Sequence, residues 1–135
     1  MKHLKLYLIL TALVILVSCQ KRKCGFDETH YLQGNWEWVK TYGGLAGITE
    51  TPASTGNTML LELASGGNFT ITKNSVITEQ GNYNTDTQFC YHRNYTRSAL
   101  KLGNAMLLTI ERNDADTLIL AEEYADGLTH IYTRK

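Results

Sequence analysis

The chain has 135 residues, 43% of them hydrophobic and 19% charged, with 13 basic side chains balancing 13 acidic ones. Setting aside residues 1–18 leaves 11 basic against 13 acidic side chains, and setting aside Lys21, Arg22 and Lys23 as well leaves a net charge of −5. No basic face remains to neutralise phosphates, so nucleic-acid binding is excluded. The chain beyond the N-terminal segment, roughly 110 residues, suits a single domain with its own core.

Lys2 and Lys5 precede an apolar run from Leu6 to Val17, broken only by Thr11, which ends at Ser18-Cys19. A basic start, a short apolar middle and a small residue at the end are the plan of an export signal. Twelve helical residues at about 1.5 Å each fall well short of a hydrocarbon core of about 30 Å, so a stable transmembrane span is not expected. Leu16-Val17-Ser18-Cys19 resembles a bacterial lipobox, which implies cleavage after residue 18 and an acylated Cys19 as the first mature residue. Residues 19–31 then form a tether, and Gln20, where an aspartate would signal retention in the inner membrane, resembles the outer-membrane default. Lys21-Arg22-Lys23 close to a bilayer would attract anionic head groups. The expectation is a lipid-anchored protein of the bacterial cell envelope, with the bilayer as a partner through Cys19.

From residue 32 onward the pattern is that of strands. Gly34-Asn35-Trp36-Glu37-Trp38-Val39-Lys40 carries both tryptophans at alternate positions, which places them on one face. Met59, Leu61 and Leu63 alternate, Ser65-Gly66-Gly67-Asn68 turns the chain, and Phe69 and Ile71 alternate in turn, which is a hairpin signal. Lys73-Asn74 is a second tight turn into a strand from Val76 to Tyr83, with Gly81 suited to a bulge. Leu100 and Leu102 lead into Gly103-Asn104, then Met106, Leu108 and Ile110 alternate. Asn113-Asp114-Ala115-Asp116 turns into Thr117–Ala121, and Asp126-Gly127 into Leu128–Arg134. The count is about eight antiparallel strands with little helix, as a barrel or sandwich requires. Leu61, Leu63, Phe69, Ile71, Leu100, Met106, Leu108 and Leu118 are expected to face inward.

Two segments break the pattern. Thr41–Asn57 contains Gly43, Gly44, Gly47, Pro52 and Gly56, which argue against a regular strand, and connections of that length are usually functional or mobile. Thr85–Thr96 loses its periodicity while crowding Phe89, Cys90, Tyr91, His92 and Tyr95 together.

Candidate chemistry is sparse. Cys90 and His92, alone or with His30 or His130, lack the spacing of a metal site or a thiol nucleophile, so no metal, no cofactor and no catalytic residue are expected. Asp114 and Asp116 lack the glycine and distal glutamate of a calcium loop and read as turn residues. Glu122, Glu123 and Asp126 read as a solvated rim. With Cys19 acylated, Cys24 and Cys90 are the one possible pair. Export permits a disulfide between them, and two free thiols fit the sequence equally well.

Gly34-x-Trp36, the glycine-containing loop behind it and a meander ending in Tyr132-Thr133-Arg134 together resemble the lipocalin-like proteins, in particular the small lipocalin-like lipoproteins of Bacteroidetes. The resemblance covers residues 32–135. It implies an all-β, up-and-down, eight-stranded antiparallel barrel, with Trp36 packed beneath Arg134 to close one end. The chain is shorter than a typical lipocalin, which implies a shallower cup.

On this reading the protein is a monomeric, non-enzymatic barrel that binds a small apolar or amphipathic molecule. The two irregular segments would flank the mouth, and Tyr42, Phe89, Tyr91 and Tyr95 would contact the ligand. The alternative is a protein-interaction or inhibitor module whose barrel is filled by its own side chains.

Overall fold

Nine strands and one helical turn succeed one another along the chain: β1 (Gly34–Gly43), β2 (Ile48–Glu50), α1 (Pro52–Thr55), β3 (Met59–Leu63), β4 (Asn68–Lys73), β5 (Val76–Phe89), β6 (Arg97–Leu102), β7 (Met106–Asn113), β8 (Thr117–Glu122) and β9 (Leu128–Arg134). This computed structural model describes residues 31–89, 97–104 and 106–135, the side chains of residues 87–89 excepted. Each strand from β3 to β8 pairs antiparallel with the next, and β9 pairs with β1, which pairs in turn with β3. The result is a closed, eight-stranded, up-and-down barrel. Closure removes the long free edges an open sheet would present. β2 adds a short ninth strand to β1 beyond the end of β3.

Alternation sets the core. Leu61, Leu63, Phe69, Leu100, Leu108 and Leu118 are buried inside the barrel with Trp36, Trp38, Leu120 and Tyr132, and Ile71 and Met106 pack against them. Polar residues take the outer positions, as strands with one buried face require. Asp114 holds the β7–β8 turn, its Oδ1 accepting from the backbone N–H groups of Asp116 and Thr117, 3.1 and 2.8 Å away. The Arg112 guanidinium, 2.5 Å from Oδ2, keeps that carboxyl below its ordinary range.

Two local expectations need correction, and a third is made more specific. Gly81 lies in a regular pair with Phe69, and the bulge falls one step away, where Ile71 pairs with Glu79 but Thr72 with Ile77. A glycine suits position 81 for another reason: the Phe69 ring lies over it, 3.1 Å from where a Cβ would stand, so a side chain there would have to push the ring aside. The segment after Thr41 is more regular than its glycines suggest. β1 continues to Gly43 and turns back into β2, and Thr51 caps α1 through a reciprocal hydrogen-bond pair with Ser54. Two residues, Asn74 and Ser75, separate the paired Lys73 and Val76, and both have positive φ (50° and 66°), the backbone of a type I′ hairpin turn.

The ends of the barrel differ. At one end the chain enters through residues 31–33 beside the β3–β4 and β7–β8 turns. There Trp36 is fully buried, its indole Nε1 donating to the Leu32 carbonyl at 2.8 Å, and the Arg134 guanidinium lies 4.2 Å from the ring centroid. At the other end stand the β1–β2, β4–β5, β6–β7 and β8–β9 connections. That end is open.

Candidate functional site

The open end is built from two features, a polar chain inside the barrel and a cavity beside it. The chain exists because of one extra residue. In a regular strand, residues three apart lie on opposite faces. The register of β1 against β9 slips between Trp38 and Lys40, so Val39 is bulged outward and Thr41 turns to the same inner face as Trp38. Trp38 Nε1 donates to Thr41 Oγ1 at 2.8 Å, and Thr41 Oγ1 lies 2.9 Å from Nδ1 of its cross-strand neighbour His130.

Thr41 Oγ1 accepts the indole N–H and keeps a second lone pair and its own hydrogen, so it either donates to His130 Nδ1 or accepts from it, according to the imidazole tautomer. On the other side of the imidazole is Nε2. That atom faces Glu122 Oε1 at 3.6 Å, beyond hydrogen-bond length. Burial pushes the His130 pKa below its ordinary 6.5, while the Glu122 carboxylate acts in the opposite direction. Glu122 Oε2 accepts the backbone N–H of Leu128 at 3.0 Å, which ties the carboxylate to the start of β9.

Glu122 also lines a cavity of about 580 Å³. Its floor is apolar, with Phe69, Leu102, Met106 and Leu108, and Glu79, Gln80, Asn104 and Tyr124 belong to its wall and lip. The cavity owes its existence to stagger. The last β5–β6 pair is Tyr83 with Leu102, and Asn82 still accepts the Gly103 N–H, so residues 76–81 of β5 rise above the β6–β7 turn and leave a gap over it.

Among the expected ligand-binding residues, Tyr42 stands on the outer face of β1, 40% exposed, with Lys40 Nζ 5.1 Å from its ring centroid. It does not line the cavity. The same bulge at Val39 that turns Thr41 inward turns Tyr42 outward. Tyr91, Tyr95 and the side chain of Phe89 lie outside the described residues, as do Cys19, Cys24 and Cys90. Reading Glu122, Glu123 and Asp126 together as a solvated rim missed two contacts: Glu122 reaches inside toward His130, and Glu123 accepts from the Thr109 hydroxyl. Alternation held the signal, since Glu122 continues the inward series Leu118, Leu120 and His130 precedes inward Tyr132 by two. Among the described residues, no group of three or more His, Cys, Asp or Glu side chains is arranged to hold a metal. Comparison of the chain with protein-family models, with curated proteins and with solved structures finds no match.

Proposed function

We propose that this chain is a lipid-anchored, lipocalin-like binding barrel of the bacterial envelope that holds a small apolar or amphipathic molecule at its open end, without catalysing a reaction. The observation that carries the reading is the cavity of about 580 Å³ with an apolar floor and a polar lip, a size and lining suited to a small organic ligand. Thr41, His130 and Glu122 follow the order of a hydroxyl, a base and a carboxylate, but Thr41 is buried, accepts the Trp38 N–H and does not line the cavity, so a molecule held there does not meet its hydroxyl, and the set is better suited to positioning than to catalysis. The lipobox-like Leu16–Cys19 sequence supports the anchor.

The test is titration of the protein with Nile red, an uncharged apolar dye. Saturable binding near one dye per chain is expected, reduced at least tenfold by Met106→Trp, which fills the cavity from its floor. Unchanged binding by that variant would place the dye elsewhere and overturn the reading.

The interaction-module alternative draws on one observation of its own. Leu45 and Tyr124, 93% and 70% exposed, stand on connections of the same open end, and Val76 and Ile77, 64% and 58% exposed, at the start of β5 beside them. In that case the apolar tips would meet a protein surface, and the dye would find no saturable site.

A further inference from the structure

The walls of the open-end cavity carry charge of one sign. Glu79 extends the inner face of β5 opposite Ile71, and Glu122 ends the inner face of β8 opposite Leu108, three strands away around the barrel. Among the described residues, no lysine, arginine or histidine lines the cavity. Glu79 has no hydrogen-bond or ion-pair partner among the described residues. Glu122 accepts one backbone N–H, and its neighbour His130 is held toward the neutral form by burial, so the carboxylate is left without a full countercharge. Between the two lies the apolar floor of Phe69, Leu102, Met106 and Leu108.

Glu122 is half-buried at the edge of this apolar cavity, where a carboxylate interacts with a ligand charge more strongly than in open water, and Glu79 is exposed at the lip, where its pull is weaker and more readily screened by salt. Both repel an anion and attract a cation, while the floor takes a hydrocarbon body. We propose that the cavity selects an amphipathic organic cation, an alkyl ammonium in its simplest form, with the head between Glu79 and Glu122 and the tail on the Phe69–Leu108 floor. This inference rests on the cavity being a ligand site, as proposed above.

The experiment is calorimetric titration of the full chain at pH 7 with three probes of equal length: octylammonium, octanol and octanoate. Octylammonium is expected to bind about tenfold more tightly than octanoate, with octanol between them, and the spread should narrow in high salt. Glu79→Gln should weaken octylammonium binding about three- to fivefold and leave octanol within a factor of about two. Glu122→Gln, whose amide oxygen still accepts the Leu128 N–H, should act in the same direction. Equal affinities for all three probes would overturn the charge selection and leave the cavity as a ligand site. Loss of octanol and octylammonium binding together in Glu79→Gln would give Glu79 a structural role and likewise overturn it. If none of the three probes binds, the ligand site itself is refuted, and the charge selection with it.

Discussion

Arg134 lies across the indole of Trp36, its guanidinium 4.2 Å from the ring centroid, and the two residues are direct cross-strand neighbours at the seam where the last strand meets the first. The same guanidinium donates to three backbone carbonyls, those of Tyr31, Gln33 and Ala115. One side chain thus joins the entering chain, the β7–β8 turn and the barrel floor. Trp36→Ala is expected to cost about 3–5 kcal/mol, because a fully buried ring is lost and a cavity remains. Arg134→Met, which keeps an apolar stem over the ring, should cost about 1–2 kcal/mol through the lost cation–π contact and hydrogen bonds. Urea midpoints of the two variants check both figures, and midpoints equal to the parent's would contradict the closure.

Gly34 is required by the same contact. Its φ is +137°, and a Cβ there would collide with Arg134 Nη1. Gly34→Ala should therefore destabilise the barrel by about 1–3 kcal/mol, from backbone strain and displacement of the guanidinium. In the double variant with Arg134→Met the penalty should shrink toward the strain component alone, since the clash partner is gone. An additive double variant would show that the steric account fails.

His130 predicts how stability depends on pH. Burial holds its folded pKa below 6.5, so between that folded value and 6.5 the unfolded chain binds more protons than the folded one. Stability is then complete above pH 6.5, falls as the pH drops below it, and stops falling once the folded pKa is passed. Denaturation between about pH 8 and about pH 5 should show this decline. His130→Asn, whose side-chain amide can hydrogen-bond to Thr41 in either direction, should flatten it. Asp114, held below 3.8 by Arg112, does not contribute in that range.

Cys19→Ser tests the anchor. In a bacterial host the parent is expected in the membrane fraction, and the variant in the soluble fraction, because the acyl chains that would hold the protein on the bilayer have no thiol to join. A variant that stays with membranes would show that something other than acylated Cys19 holds it there.

Much of the fold was legible in the sequence because the relevant physics is local. A side chain on a strand faces the core or the solvent by simple alternation, so Leu61, Leu63, Phe69 and Leu108 could be assigned inward from their spacing alone. The β7–β8 turn was readable for a similar reason, since Asp114 bonds to N–H groups only two and three residues on. The candidate site is different. Thr41 reaches Trp38 and His130 only because Val39 is bulged, and one extra residue reverses the facing of everything after it, Tyr42 included. The cavity depends on the stagger between β5 and β6, which comes from how eight strands tilt to close a barrel. Glu122 and His130 are separated by a turn along the chain, and become neighbours only once β8 and β9 pair. A bulge, a stagger and a cross-strand contact are properties of paired strands, so the tertiary structure decided them where the spacing along one strand could not.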